Sequence, residues 1–412
     1  MTVTMQEKSL FKNFNFMLLW AGQSVSQLGT ALYNLAIMWY ILEKTGSTLA
    51  MGISVVCFTL PTTIIGPIAG VFADKHDKKK IIVITDCING LLMLALSYFI
   101  AVDNISIGAL YVVMALGASV SAVFTPAITS SMPMIVDSQQ LTKANSLSQF
   151  TSRIVSILGP ALAGILIAIL DMWILFFING ISYLISAISE SFITIPKVDV
   201  KDTSQKFVEQ FKEGLSNVWN NKLVLYLVIS GGIIINFFLA PLSIYSAVIS
   251  ANLDKGATGL GIMQASVSIG ALLGSVMILL GFIKNKYKMA IAGLTLEGLA
   301  LIALGLFIQN YYLILFFMGM LGLGVAMASV GISTLYQILI PKEKMGRVMS
   351  IVTTLCSVTI PLGTLFGSVI INYHTMENVL IFFGVIVSIS GLSLVGVVRE
   401  SNERKEEVFT VD

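Results

Sequence analysis

Apolar residues in this chain run in stretches of twenty or more, separated by short polar gaps. A helix rises 1.5 Å per residue, so about 20 mostly apolar residues carry it across the hydrocarbon of a bilayer. On that rule the pattern predicts helices near 13–41, 49–73, 81–102, 108–136, 144–170 and 172–194. After a longer polar gap it predicts six more, near 223–250, 258–283, 289–308, 312–340, 348–372 and 378–397. Charge or turn residues mark the breaks, as in Glu43-Lys44-Thr45-Gly46, Asp103-Asn104, Asp171 and Asp254-Lys255-Gly256. The chain reads as an all-α membrane protein of about twelve transmembrane helices.

Composition agrees. Hydrophobic residues make up 56% of the chain and charged residues 11%, where a water-soluble domain carries about a quarter charged. A net charge of +2 gives no footing for a nucleic-acid partner, and the informative charges are the lysines and arginines of the gaps. One alternate set of gaps holds Lys8 and Lys12, Lys75 and Lys78 to Lys80, Lys143, the lysines from Lys197 to Lys222, Lys284, Lys286 and Lys288, and Lys342, Lys344 and Arg347. The other set holds Lys44 and Lys255. The positive-inside rule then places both termini in the cytoplasm, which an even helix count allows. The first apolar stretch carries Gln23, Gln27 and Asn34 and exceeds a signal h-region in length, so it is kept as a mature helix. Cys57, Cys87 and Cys356 each fall in an apolar run, widely spaced, which suggests small packing residues and neither a disulfide framework nor a metal site.

The longest gap divides the chain into an N-terminal six-helix bundle (1–195), a cytoplasmic linker (196–222) and a C-terminal six-helix bundle with a tail (223–412). Within the linker Phe207, Phe211, Leu215, Val218 and Trp219 recur at helical spacing, the pattern of an amphipathic helix on the membrane surface; a solvated linker is the alternative. Pro160 and Pro361 sit mid-helix in the fifth span of each half. Interrupted helices at matching places in two halves are a transporter pattern, with the substrate site between the halves.

Several motifs carry a family resemblance. The loop after the second helix reads Gly70-Val71-Phe72-Ala73-Asp74-Lys75-His76-Asp77-Lys78-Lys79-Lys80. It resembles the signature loop of the major facilitator superfamily in sequence and in position. Gly159-Pro160-Ala161-Leu162-Ala163-Gly164 resembles the Gly-Pro motif of that family's exporters. Trp20-Ala21-Gly22-Gln23, Glu43-Lys44-Thr45-Gly46-Ser47, Phe124-Thr125-Pro126-Ala127, Lys212-Glu213-Gly214 and Gly346-Arg347-Val348 resemble its macrolide-efflux branch of bacterial drug exporters. The resemblance implies two pseudo-symmetric six-helix bundles. It also implies a central cavity lined by the first, fourth, seventh and tenth helices, with the second, fifth, eighth and eleventh beside them. It implies a conformational latch of Gly70, Asp74, Lys75 and Arg347, in which Asp74 accepts from the start of the eleventh helix. Two positions depart from the family pattern: Gly117-Ala118-Ser119 stands where an arginine is common, and the second-half loop copy is reduced to Gly281-Phe282-Ile283-Lys284.

Polar stripes mark the inward faces. Gln23, Gln27, Thr30 and Asn34 are spaced four, three and four, and share one face of the first helix. An amide facing lipid without a partner costs about 1–3 kcal/mol, so this face is expected to look inward. Gln149, Arg153 and Ser156, then Gln264, Ser268 and Ser275, then Ser329, Ser333 and Gln337 repeat the pattern. The expected substrate-binding set is Gln23, Gln27, Asn34, Phe124, Arg153, Asn236, Phe238, Tyr245, Gln264, Tyr336 and Gln337. Phe237 belongs to the same aromatic wall. Ionisable residues inside spans are Asp86, Arg153, Glu190 and Glu297, and intramembrane charge is a functional hypothesis by default. Asp86 and Glu190 lie near cytoplasmic helix ends, where solvent or loop lysines are within reach. Glu297, Arg153 and Asp86 are the coupling candidates, with protons the expected coupling ion.

These features favour export of amphipathic or hydrophobic small molecules, macrolide-like drugs, by proton antiport across a bacterial plasma membrane. A lysophospholipid or siderophore transporter of the same fold is the alternative. An apolar cavity with scattered amides suits such cargo better than a sugar, which wants more hydrogen-bonding groups, or a phosphate, which wants several arginines. An enzyme is not expected: His76 and His374 both fall in loops, and no nucleophile–base pair, metal spacing or phosphate loop occurs. The run Gly319-Met320-Leu321-Gly322-Leu323-Gly324 lies inside an apolar helix and reads as close helix packing. A channel would want charge rings or a carbonyl filter. No cofactor is expected; the partners are a small-molecule substrate, the lipid bilayer and protons, with no nucleic acid, and a monomer is expected.

Overall fold

A computed structural model of the chain describes residues 10–196, 215–216, 218–219, 221–283, 285–341 and 344–409. Among the described residues there is no β-strand, and the chain runs through twelve long helices. They are α1 (Phe14–Thr45), α2 (Thr48–Lys75), α3 (Lys78–Ala101), α4 (Ile107–Ile135), α5 (Leu141–Ile169), α6 (Met172–Ser191), α7 (Lys222–Asn252), α8 (Gly256–Leu279), α9 (Lys286–Leu306), α10 (Tyr311–Leu339), α11 (Met345–Ile370) and α12 (Met376–Phe409). A short 3₁₀ turn, Leu10–Lys12, precedes α1. Eleven of the twelve are long and apolar enough to cross a bilayer over part or all of their length. The exception is α1, whose 32 residues are ample in length but whose stripe of Gln23, Gln27, Thr30 and Asn34 lowers its apolar content. Of the linker helix expected over 196–222, Phe207 and Phe211 lie outside the described residues. Val218 is buried in a core cluster with Val224, Leu227 and Val228, and Trp219 is exposed.

Helix starts are set by polar caps. Asp77 of the signature loop caps α3, its side chain accepting from the Lys80 backbone N–H at 3.2 Å. Ser106, Asn221, Asn285 and Asn310 do the same for α4, α7, α9 and α10. Such caps satisfy donors that the first turn leaves unpaired. Gly46, Gly256 and Gly281 turn the chain at φ of 60°, 60° and 78°, a left-handed conformation that glycine adopts without steric cost. Pro126 and Pro133 in α4, Pro160 in α5 and Pro361 in α11 all sit inside helices.

The chain divides into two compact units, residues Met1–Lys44 with Cys57–Asp202, and Thr45–Val56 with Thr203–Asp412. In the first unit α3 and α6 cross where Gly90 meets the Gly180 carbonyl and Gly180 meets the Gly90 carbonyl. In the second, α9 and α12 cross through Gly298 and Gly384, again each against the other's carbonyl. Lipid gives little hydrophobic drive between helices, so close backbone approach through small residues holds such pairs. The glycine run of α10 serves the same end: Gly322 abuts the Val267 carbonyl on α8, and Gly324 and Gly331 abut Gly293 and Ala290 on α9. Cys57, Cys87 and Cys356 are free thiols and half-buried.

Candidate functional site

In the first unit, small residues on α1 bring it against α6. A methyl group on Gly22 would lie 3.1 Å from Ser186 Oγ, and one on Gly29 would overlap the Ser182 and Asn179 side chains. That closeness sets the polar stripe of α1 into a buried seam. Gln23 Nε2 donates to Glu190 Oε1 at 2.6 Å and lies 3.4 Å from Ser186 Oγ. Thr30 Oγ1 donates to the Tyr183 hydroxyl at 3.1 Å. On the neighbouring side, Gln27 Oε1 accepts from Ser152 Oγ of α5 at 2.8 Å, and Trp20 Nε1 donates to Thr151 Oγ1 at 3.1 Å.

Asp86 enters this seam from α3, its carboxyl group beside Ser186 and Glu190. Asp86 is 1% exposed and Glu190 0%. Among the described residues, Asp86 Oδ2 and Glu190 Oε2 have no hydrogen-bond partner. One turn nearer the N-terminal end of the unit, Phe16, Leu19 and Ile193 are fully buried in one apolar cluster. Both acids are buried, so the expected access of solvent is not found, and among the described residues Gln23 and not a lysine donates to Glu190.

In the second unit, α7 is not continuous. Its middle, Ile229–Ile234, winds as a π-helix, and a turn follows at Ala240-Pro241. The wider winding comes at Gly231 and Gly232, which press on Ile332 of α10 and Cys356 of α11. Asn236 Nδ2 donates to the Gly232 carbonyl at 2.7 Å, supplying that carbonyl with a side-chain partner at the break. Further along, Tyr245 Oη donates to the Gly367 carbonyl of α11 at 2.9 Å. Phe237, Phe238, Phe366 and Phe383 pack around this junction in edge-on, tilted and stacked pairs, with centroids 5.0–6.1 Å apart. Local departures of this kind from α-helical winding are frequent at functional sites, and in transporters interrupted helices mark the substrate region.

The substrate-binding residues expected from sequence are distributed as follows. Asn34, Arg153 and Gln337 are exposed on their own units, while Gln23, Gln27, Phe124, Asn236, Phe238 and Gln264 are half-buried. Tyr245 and Tyr336 are buried, Tyr336 in a cluster with Ile332, Val348 and Ile351. Phe124 packs beside Ala73, Ile81, Ile82 and Ala127 where α2, α3 and α4 meet. The structure brings Gln23 to Asp86 through Glu190, and groups Asn236, Phe238 and Tyr245 along α7. Of the latch, a methyl on Gly70 would meet open space and Lys75 is exposed; the Asp74 and Arg347 side chains lie outside the described set. Glu297 is buried on α9, its side chain against Gly324 of α10. The pairing of Glu190 with Asp86 and Gln23 was not expected from sequence. The available signal was the Ser182, Ser186, Ser189, Glu190 face of α6, which matches the Gly22, Ser26, Gly29 face of α1.

A bundle of apolar helices crossing through glycines, with polar seams and an interrupted helix, defines a multi-pass membrane transporter and not an enzyme. The Major Facilitator Superfamily profile matches residues 19–358, and again 284–410, and the chain belongs to that family. It is 27% identical over 358 residues to macrolide efflux protein A of Streptococcus pyogenes, covering 86% of this chain and 88% of that one. It is 28% identical over 174 residues to the staphyloferrin A transporter of Staphylococcus aureus, covering 42% of each. Among solved structures, a bacterial homologue of the iron transporter ferroportin, captured inward-facing, aligns with a TM-score of 0.72 at 17% identity, covering 94% of this chain and 99% of that one. At that identity the last likeness speaks to fold alone.

Proposed function

We propose that this protein exports amphipathic or hydrophobic small molecules of the macrolide kind from a bacterial cell in exchange for protons. Two six-helix halves, 1–195 and 223–412, alternate the access of the substrate to the two sides of the membrane, and both termini face the cytoplasm. The observation that carries the reading is the identity to macrolide efflux protein A over most of both chains. The broken α7, with its aromatic group beside a single amide, supports it on chemical grounds. Such a lining accommodates a bulky, weakly polar molecule through stacking and apolar contact. The Gly70–Asp74–Lys75–Arg347 latch and the exposed Arg153 belong to the same proposal.

The test is expression in a drug-sensitive bacterium stripped of its own exporters. Lower cellular accumulation of a macrolide such as erythromycin, restored by a protonophore, is the expected result. Unchanged accumulation of erythromycin and of lipophilic dyes overturns it. A siderophore reading is favoured by the staphyloferrin A transporter, a relative over 42% of the chain, and predicts that an iron-free siderophore leaves the cell when the protein is made.

A further inference from the structure

The two buried carboxyl groups of the first unit have chemistry that packing alone does not explain. Asp86 on α3 and Glu190 on α6 are both buried on helices that cross at Gly90 and Gly180, and they act on each other electrostatically. The other groups acting on them are Ser186 and Gln23, neither of which carries charge. From α6 the Tyr183 phenol also faces Asp86. α4, which packs on α3, has no charged residue between 107 and 135. On α3 itself, Lys78 lies two turns from Asp86 and donates to the Ala73 carbonyl at 3.1 Å. On α5, Arg153 is exposed. Among the described residues, no cationic side chain is therefore one of the groups that act on the pair.

Two carboxylates in contact, away from water and from any cation, cannot both carry charge. Glu190 Oε1 accepts from Gln23, while Asp86 Oδ2 and Glu190 Oε2 are buried without a hydrogen-bond partner. Those two oxygens are where an exchangeable ligand would sit, and the smallest that satisfies them is a proton.

We propose that Asp86 and Glu190 together form the proton-carrying site of the transport cycle, with Gln23 as the group that reports its charge to α1. With one proton shared, the pair keeps one negative charge, which Gln23 Nε2 stabilises by holding Glu190. When a second proton enters from the medium the pair becomes neutral and the hold of Gln23 on Glu190 weakens. When that proton is released to the other side, the charge and the hold return. Because α1 also bonds to α5 through Gln27–Ser152 and Trp20–Thr151, a change at Gln23 reaches two helices of the unit.

The inference rests on the proton-exchange reading above, and its test separates the two. The full chain in liposomes is titrated with pH while infrared absorption of protonated carboxyl groups is recorded, which needs no substrate. The wild-type protein is expected to show a carboxyl band that disappears on alkaline titration, reduced in both Asp86→Asn and Glu190→Gln. In the same vesicles, erythromycin accumulation driven by a pH gradient is expected to fall at least about tenfold in either variant, while gradient-free erythromycin counterflow persists. Asp86→Glu and Glu190→Asp, which keep the carboxyl groups, are expected to retain coupling. A carboxyl band unchanged in both neutral variants overturns the assignment. So does full gradient-driven transport in both, or transport driven by sodium and not by pH. If the wild-type protein moves no erythromycin, the transport reading fails while the infrared comparison still decides whether the pair holds the proton.

Discussion

Gln23 of α1 and Glu190 of α6, 167 residues apart in sequence, form a 2.6 Å hydrogen bond inside the first unit. That contact joins the polar stripe of α1 to a fully buried acid, and it depends on the small residues Gly22, Ser26 and Gly29 that let α1 reach α6.

Removing the donor leaves a buried carboxyl oxygen without its amide. Gln23→Ala is expected to destabilise the protein by about 1–3 kcal/mol, the usual cost of an orphaned buried polar group. Thermal unfolding in detergent, followed by tryptophan fluorescence, checks it, and Gln23→Asn with its shorter reach is expected to fall between the two.

Glycine at helix crossings makes a sharper prediction because neighbouring positions serve as controls. Gly322→Ala places a methyl group against the Val267 carbonyl, and Gly298→Ala places one against the Gly384 carbonyl. Each is expected to cost about 1–3 kcal/mol through overpacking and to lower the yield of folded protein. Gly66→Ala and Gly70→Ala meet open space, and are expected to leave stability unchanged in the same unfolding assay.

Tyr245 combines a buried ring with one hydrogen bond. Tyr245→Phe keeps the packing of α7 on α11 and removes only the bond to the Gly367 carbonyl, an expected loss of about 0.5–1.5 kcal/mol. Tyr245→Ala also removes the ring from the aromatic group, with an expected loss of about 3–5 kcal/mol. Comparing the two melting temperatures separates the contributions.

Asn236 bonds the carbonyl of Gly232 at the π-helical break. Asn236→Leu is expected to lower the transport rate while leaving the protein folded, because the break is then free to rewind. Rates at saturating and at limiting erythromycin show whether turnover or apparent affinity changes.

The helix count and the breaks were legible in the sequence because lipid imposes a simple rule on length and apolarity. The glycine run of α10 was legible as close helix packing, while the Asp77 cap of α3 was not read from the sequence. The inward turn of Gln23 was legible from its shared face with Gln27 and Thr30, but not its partner. Glu190 sits one residue from the end of α6, where the linear pattern suggests solvent. Only the packing of α1 and α3 against α6, which brings Gln23 and Asp86 to it, makes it an interior acid. The break in α7 was not read from the sequence either, although Ile229–Ile234 contains Ser230, Gly231 and Gly232, whose backbone passes close to Ile332 and Cys356.

The central claim is that the protein moves amphipathic small molecules in exchange for protons. Reconstituted liposomes loaded with a pH-sensitive dye and held under a proton gradient test it most directly, on addition of macrolides, lipophilic dyes and lysolipids. The account predicts substrate-dependent collapse of the gradient with a macrolide or a dye, lost in Glu190→Gln. Movement of lysolipid without any change in the pH signal, with every drug leaving the gradient intact, would contradict it.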